Sequence, residues 1–206
     1  MRISTVAKGL LGRRTEGVPR QAAYRKQATW KDYLLRHRVQ LGLPLVLLYA
    51  WLARPSGYAL AGGAAVAFLG VVLRGSAAGH LRKNRELTTS GPYAFTRHPL
   101  YLGSLLIAGG FLIAGRSPLA AALGVVYFGL FYSAAIGRDE RGLAARFGGE
   151  SAAYAARVPR FGLRLAGRPP GAPFSWRLYW HNSEYQVVLA VLGGIVALWL
   201  EMRWRA

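Results

Sequence analysis

Cysteine is absent from this chain of 206 residues, and acidic residues are scarce. Without a thiol there is no disulfide, no cysteine nucleophile and no thiolate ligand for a metal, while the redox compartment stays undetermined. Only eight Asp and Glu stand against 27 Lys and Arg, so the formal net charge is +19 at pH 7. Any acid-base chemistry therefore depends on a few carboxylates and on the histidines.

The histidines do not form a metal-binding pattern. None of the four lies four residues from another, and no His/Glu grouping has the spacing of a zinc or di-iron site. A Gly-x-Ser-x-Gly elbow is missing as well, which argues against a serine hydrolase. We therefore expect neither a metal site nor a serine nucleophile. The histidines are His37, His80, His98 and His181.

Apolar and charged residues occupy separate parts of the chain. Residues 40–73 contain one charged residue, Arg54, residues 99–137 contain one, Arg116, and residues 185–200 contain none. Blocks this long and continuous are typical of membrane-spanning helices rather than half-buried surface helices. The pattern favours an integral membrane protein over a basic nucleic-acid binder, for which no binding fold is evident.

The apolar blocks predict an all-α integral membrane helical bundle with about five transmembrane helices. Several blocks are short against the ~20 residues that cross a bilayer upright, so the pairs flanking the breaks at 54–57 and 115–118 are read as hairpins. A re-entrant or half-inserted pair is the alternative. The predicted spans are residues 39–53, 58–73, 100–114, 119–137 and 185–202.

Three prolines and several small residues support these helices. Pro44, Pro99 and Pro118 lie at or near the predicted first turns, where a missing N–H costs nothing. Small residues at four-residue spacing, such as Gly63 and Ala67, favour close helix packing.

The distribution of Lys and Arg predicts the orientation. If five spans alternate, 23 basic residues face one side and four face the other, so the first side is expected to be the cytoplasm. The N-terminus would be cytoplasmic and the protein a multi-pass protein of the cytoplasmic (inner) membrane. We expect residues 1–38 to form a basic cytosolic or interfacial arm, not a signal peptide, and residues 39–206 to form a single transmembrane domain.

The segment GPYAFTRHPLYLG, residues 91–103, places Arg97, His98 and Pro99 at the start of an apolar helix. With Pro99 at the first helical position, His98 is the cap residue, beside backbone N–H groups and the positive end of the helix dipole. This arrangement suits a carboxylate or a phosphate. An interfacial Arg-His pair that meets lipid headgroups is the alternative.

A second charged cluster follows the fourth span. Asp139 and Glu140 are predicted to lie at the C-terminal end of an apolar helix, where the dipole disfavours acids, so a cation or ligand donor should compensate them. An exposed acidic pair held by Arg138 and Arg141 is the simpler alternative. The Gly148-Gly149 pair further on predicts a broken helix on the membrane face.

Together these motifs resemble the integral membrane methyltransferases of the isoprenylcysteine carboxyl methyltransferase type, which are related to bacterial phospholipid N-methyltransferases. The resemblance covers residues 74–161. It implies a helical bundle that binds S-adenosylmethionine in a cytosol-facing pocket covered by the C-terminal segment. It also implies S-adenosylhomocysteine as the product and a lateral opening for a lipid-like acceptor.

The resemblance assigns site residues by motif. The acidic pair matches Asp139 and Glu140, with Asp139 where the family usually has glutamate, and the closing motif is Val-Pro-Arg at 158–160. Two positions depart from the isoprenylcysteine enzymes: Ala135 replaces an arginine and Ser151 replaces a tyrosine, which weakens the case for a prenylcysteine carboxylate. The implied cofactor-binding residues are Tyr93, Arg97, His98, Pro99, Tyr101, Gly103, Asp139, Glu140 and Leu143.

The charges of the cofactor fit these residues. Its carboxylate can accept hydrogen bonds from Arg97 or the helix start at His98, while its amino group and sulfonium suit Asp139, Glu140 and aromatic faces. Glu140 or Asp139 is the expected catalytic base for an amine acceptor, ahead of His98. The acceptor stays open among phospholipid amines, prenyl carboxylates and quinone-like isoprenoids, and the sequence does not indicate an oligomeric state. Two other classes also stay open: a nicotinamide-dependent lipid or sterol reductase, and a membrane scaffold without activity.

Overall fold

The structure is a computed structural model, and it describes residues 30–83, 85–162 and 172–205. Every regular element within these ranges is helical, so the all-α prediction is confirmed. Residues 1–29 of the predicted basic arm lie outside the described residues, and residues 30–38 belong to the first helix. The elements are α1 (Trp30–Leu52), α2 (Gly57–Ala78), a 3₁₀ turn (Gly91–Ala94), α3 (Pro99–Gly115), α4 (Pro118–Arg157), α5 (Trp176–His181) and α6 (Tyr185–Trp204).

Among the described residues, three helices, α2, α4 and α6, are long and apolar enough to cross a membrane, and two shorter apolar helices accompany them. The shorter ones are Gln40–Leu52, within α1, and α3. Four of the five predicted spans lie within one of these helices, and the first, 39–53, extends one residue past the end of α1 at Leu52. Large apolar side chains on their outer faces are open, as at Val125, which is 68% exposed, and this is the surface that lipid covers.

Short links join successive helices at both predicted hairpin tips, and the tips touch, but the first hairpin is not closed because α1 packs mainly against α4 rather than against α2. The backbone N–H of Arg54, between α1 and α2, donates to the carbonyl of Gly115, the last residue of α3, at 2.8 Å. Pro99 and Pro118 begin their helices as predicted. The prediction for Pro44 is wrong: α1 begins at Trp30, so Pro44 lies in its interior, because the polar residues before it continue the helix.

Close packing of α2 against α3 fixes the centre of the bundle. A Cβ on Gly63 would lie 2.3 Å from the carbonyl oxygen of Gly110, and a Cβ on Gly70 would lie 2.5 Å from that of Gly103. Only glycine permits such an approach of two backbones. This contact sets the start of α3 beside the end of α2.

Helix α4 continues past its apolar part and then bends. Gly148, at φ 49° and ψ −121°, interrupts it, which confirms the predicted break. Beyond the break the chain packs back on the 3₁₀ turn, where the Tyr154 hydroxyl donates to the Tyr93 carbonyl at 2.7 Å. The prediction that the acidic pair ends a helix is wrong, because residues 141–147 contain no proline and are mostly good helix formers, and α4 continues to Arg157.

The segment before α6 closes on the end of α2. Asn182 Nδ2 donates to the carbonyls of Ala78 at 2.9 Å and Leu81 at 3.1 Å, and the N–H of Ser175 donates to Gly79 at 2.9 Å. These contacts satisfy carbonyls that the helix end leaves unpaired. The end of α2, the start of α3 and the start of α6 therefore meet at one end of the bundle, about 30 Å along α2 from the hairpin tips.

Candidate active site

A polar cavity of about 490 Å³ lies at this end of the bundle. Its wall combines the loop after α2, the start of α3, the middle of α4 and Tyr154 beyond the Gly148 break. The size is that of a small-molecule or cofactor site. Seven of the residues singled out from the sequence line it: Tyr93, Arg97, His98, Pro99, Tyr101, Asp139 and Leu143.

Glu140 joins the two predicted clusters. Its Oε1 lies 3.1 Å from Nη1 of Arg97, 3.2 Å from Nε2 of His98 and 2.9 Å from Nε of Arg160, whose Nη2 also donates to Oε2. The Arg-His motif and the acidic pair, 42 residues apart in sequence, thus meet in space. Glu140 is the residue that all three of these side chains contact, and it does not line the polar cavity.

The network fixes protonation states. Burial tends to raise the pKa of Glu140, but hydrogen bonds from Arg160 and His98 and the charges of Arg160 and Arg97 outweigh it and hold the pKa below its usual value. Burial lowers the pKa of His98 despite the bond to Glu140. A neutral His98 that donates from Nε2 to an ionised Glu140 keeps Nδ1 as an acceptor.

Asp139 differs from its neighbour. Its Oδ2 accepts a hydrogen bond from the Tyr101 hydroxyl at 2.8 Å, and its side chain lines the polar cavity. Asp139 is therefore the acid of the pair that a bound molecule can reach. Acting as a base remains a prediction for both acids, and the geometry favours Asp139.

Arg97 carries a donor that nothing in the described part of the chain satisfies. Its Nη1 contacts Glu140, whereas its buried Nε has no hydrogen-bond partner among the described residues. Leaving a buried donor unpaired costs about 1–3 kcal/mol. The residue also lines the polar cavity, so the positive charge of its guanidinium suits an anionic group bound there.

Gly103 has a different place from the one that the motif suggested. It lies in the contact of α2 with α3, where a Cβ would be 2.6 Å from Cγ of Arg74, and it does not line the polar cavity. Its contribution is space for the neighbouring helix and for Arg74. The motif alone does not distinguish residues that contact a ligand from residues that allow two helices to pack closely.

Sequence reasoning missed one wall of the polar cavity. The loop after α2 contributes a wall that includes Arg82, Lys83, Glu86 and Thr88. The sequence signal for this wall is the density of charged residues between α2 and the 3₁₀ turn, which served above only to predict the orientation of the chain in the membrane.

A second, apolar groove of about 910 Å³ lies among α1, α3, α4 and α6. Arg74, Ser104 and Tyr132 line one end, and the Tyr132 ring stands edge-on to the Tyr101 ring with centroids 5.2 Å apart. Because Tyr101 lines the polar cavity, this ring pair separates the two spaces. The polar cavity and the apolar groove are therefore neighbours, and the Tyr101–Tyr132 pair forms the wall between them.

Comparison with known families shows to which family the chain belongs. Residues 37–149 match the family described as phospholipid methyltransferase (PEMT). The chain belongs to the phospholipid methyltransferase family. The match confirms the resemblance to membrane methyltransferases seen in the motifs, and it spans most of α1, all of α2 and α3, and most of α4. Arg160 and α6 lie outside it.

Two curated proteins are similar to part of the chain. The cobalt-zinc-cadmium resistance protein CzcN of Cupriavidus metallidurans is 44% identical over 85 residues, and the nickel-cobalt-cadmium resistance protein NccN of Alcaligenes xylosoxydans xylosoxydans is 40% identical over 85. The aligned part is 41% of this chain and 39% of each relative. No solved structure matches the chain significantly. Within the described residues, no group of three or more His, Asp or Glu is placed to hold a metal ion.

Proposed function

We propose that this membrane protein transfers a methyl group from S-adenosylmethionine to a lipid-like acceptor that enters from the bilayer. The observation that carries the proposal is the shared wall of Tyr101 and Tyr132, with a polar cavity on one side and an apolar groove on the other. A cofactor in the polar cavity and a lipid in the apolar groove would meet at this wall, and each would stay in surroundings that match its polarity. The family match supports the reaction class.

Residues of the polar cavity suit the charges of the cofactor. The guanidinium of Arg97 would attract its carboxylate, and Asp139 would accept from its amino group. The faces of Tyr93 and Tyr101 would stabilise the positive sulfonium. When bound, S-adenosylmethionine supplies an electrophilic methyl group on that sulfonium, and the protein's part is to hold the acceptor in line in a water-poor site.

The two acids take different roles in this proposal. Glu140 has both oxygens engaged by donors and a lowered pKa, so it positions Arg97 and His98 rather than removing a proton. Asp139 faces the polar cavity and would take the proton of an acceptor that carries one. His98 is held by Glu140 and serves binding.

The names of the relatives suggest a biological setting. CzcN and NccN are named as metal resistance proteins, and we extend that setting to this chain as part of the proposal. A strain that lacks the protein should then lose tolerance to such metals, and an Arg97→Lys variant should restore less tolerance than the wild type.

Labelled cofactor tests the reaction directly. Membranes that contain the protein are incubated with methyl-labelled S-adenosylmethionine, and the lipids are extracted. The proposal predicts label in the lipid fraction that falls by about tenfold or more with Arg97→Lys and stays with Arg157→Lys, an exposed arginine that does not line the cavity. Equal label in membranes with and without the protein contradicts it.

A further inference from the structure

An aromatic cluster lies at the end of the bundle that holds the polar cavity. Its rings follow one another along the segment before α6, and the centroids of successive rings are between 5.0 and 5.8 Å apart. Three of the five rings belong to the six-residue helix α5. The aromatic cluster consists of Phe174, Trp176, Tyr179, Trp180 and Tyr185.

One side of the aromatic cluster packs on the end of α2. Phe174 lies so close to Gly79 that a Cβ there would be 2.0 Å from its Cε2, and Cε2 of Tyr179 would be 3.3 Å from a Cβ on Gly75. These contacts add to the hydrogen bonds described above that join the segment before α6 to α2. The position of α5 is therefore set by packing within the protein.

The other side of α5 presents two tryptophans outward. Trp176 is 68% exposed and Trp180 is 59% exposed, and because they are four residues apart on a helix they share a face. The Trp180 ring contacts the ring of Tyr185, the first residue of α6, at 5.1 Å. Tyr185, Leu189 and Leu192 follow one another at helical spacing, and both leucines are exposed. The open face of α5 is thus continuous with an apolar face of α6.

This continuity places α5 at a membrane surface. Helix α6 is long and apolar enough to cross a membrane, and only residues 182–184 separate it from α5. Trp and Tyr are enriched where the hydrocarbon meets the head groups, because an indole or phenol ring is apolar and yet carries a polar group. Two exposed tryptophans directly before a membrane-spanning helix have the chemistry of that layer.

Basic residues lie beside the aromatic cluster. The loop after α2 adjoins α5, because Asn182 Nδ2 donates to the carbonyl of Leu81, the residue before the basic run. Among the described residues of this loop and α5, four exposed cations stand against one acid, Glu86, which pairs with Arg82. Such an excess of positive charge is complementary to the phosphates of anionic lipids. The cations are Arg82, Lys83, Arg85 and Arg177.

We propose that α5 is an interfacial anchor that binds anionic phospholipids in the leaflet at this end of the bundle. Trp176 and Trp180 lie among the head groups, and Arg85 and Arg177 bind lipid phosphates beside them. Because the loop that carries Arg85 also forms a wall of the polar cavity, the anchor holds the mouth of that cavity at head-group depth. The anchor does not depend on the proposed function, since it involves lipid contact and no reaction.

Tryptophan fluorescence in vesicles of phosphatidylglycerol and phosphatidylcholine tests the depth of α5. The variant used keeps Trp176 and Trp180 and has Phe at the other four tryptophans. Lipid brominated just below the head group should quench the emission more than lipid brominated near the chain end, and aqueous iodide should quench it less than it quenches free tryptophan. The substitutions are Trp30→Phe, Trp51→Phe, Trp199→Phe and Trp204→Phe.

Two results of this measurement overturn the anchor. Iodide quenching equal to that of free tryptophan would place α5 in water, and stronger quenching from the chain end would place it deep in the hydrocarbon. If the variant with two tryptophans does not fold, the difference in emission between the wild type and Trp176→Phe/Trp180→Phe supplies the same comparison.

Lipid titration tests the anionic preference. Phosphatidylglycerol and phosphatidylcholine with the same acyl chains are titrated into the protein in a neutral detergent, and bound lipids are counted by native mass spectrometry. The wild type should bind phosphatidylglycerol about tenfold more tightly than phosphatidylcholine, and Arg85→Gln/Arg177→Gln should lose most of this preference. The matched control is Arg116→Gln/Arg203→Gln, which removes two exposed arginines at the other end of the bundle and should keep the preference.

The control separates a local site from a general effect of charge. Both double variants lose two positive charges, so an equal loss of preference in both would contradict a site at α5. Equal binding of the two lipids by the wild type would refute the anionic preference itself. Titration of S-adenosylhomocysteine into the same samples reports on the polar cavity, and its failure to bind would refute methyl transfer while leaving the anchor unaffected.

Discussion

Two neighbouring acids show how far individual residues can be interpreted from sequence. The need for cations near Asp139 and Glu140 was predictable from their scarcity and their apolar surroundings. Their separate roles were not, because one step of a helix turns side chains by about 100° and so directs them to different neighbours. Arg160 reaches Glu140 only because the chain returns after the Gly148 break. That return is a tertiary feature.

Arg97→Lys tests the guanidinium of the polar cavity at the residue scale. Lysine keeps the charge but loses the planar group that holds Glu140 through Nη1 and lines the cavity. We expect the affinity for S-adenosylhomocysteine to fall by about tenfold or more, measured by calorimetry. Arg157→Lys should retain the wild-type affinity, and a similar loss in both variants would show that the effect is not local.

His98 predicts a pH dependence of stability. Burial holds the pKa of His98 in the folded protein below the ordinary 6.5, so the unfolded chain takes up the proton first. Stability from this group is complete above pH 6.5 and is lost as pH falls through the lower folded pKa. The contribution of Glu140 is lost at lower pH, below 4.5, because its folded pKa is depressed too.

The measurement is the melting temperature between pH 7.5 and 5.5. His98→Gln should flatten the fall seen in the wild type, because the variant has no imidazole to protonate at that position. His181→Gln, on an exposed residue of α5, should keep the wild-type slope. Equal slopes in the wild type and His98→Gln would contradict the effect of burial.

At the scale of elements, apolar continuity predicted the helices well and their ends poorly. The cores of α2, α3, α4 and α6 follow from long runs without charge, which have no other stable form in lipid. The interior place of Pro44 and the extension of α4 past Glu140 do not follow, because water-exposed helix ends depend on propensity and packing rather than on hydropathy.

Adjacent glycines of α3 allow a matched test of the helix contact. A Cβ on Gly110 would lie 2.4 Å from the carbonyl oxygen of Gly63, so Gly110→Ala must separate α2 from α3. We expect a loss of about 1–3 kcal/mol in unfolding free energy, seen as a lower melting temperature. Gly109 has open space around its Cα, so Gly109→Ala should be neutral or slightly stabilising. Equal effects of the two substitutions would contradict the close packing.

The whole molecule has two distinct ends. The hairpin tips meet at one end, and every side chain proposed for the reaction lies at the other, beside the end of α2. The bias of Lys and Arg predicts that the site end faces the cytoplasm, where S-adenosylmethionine is made available. The sequence alone allows this prediction of orientation, because charge distribution is a property of the whole chain and does not depend on any one contact.

Single cysteines test this orientation, because the chain has none of its own. Lys83→Cys lies in the exposed loop of the polar cavity, and Arg54→Cys lies at a hairpin tip. A membrane-impermeant thiol reagent should label Lys83→Cys in inverted vesicles only and Arg54→Cys in spheroplasts only. The reverse pattern, or labelling of both from one side, would contradict the predicted topology.

Binding of the cofactor product tests the central claim most directly. S-adenosylhomocysteine and NADPH are each titrated calorimetrically into the purified, detergent-solubilised protein. The account predicts saturable binding of S-adenosylhomocysteine and none of NADPH. Binding of NADPH alone would indicate a reductase, and binding of neither would leave a membrane scaffold; either result contradicts methyl transfer at this site.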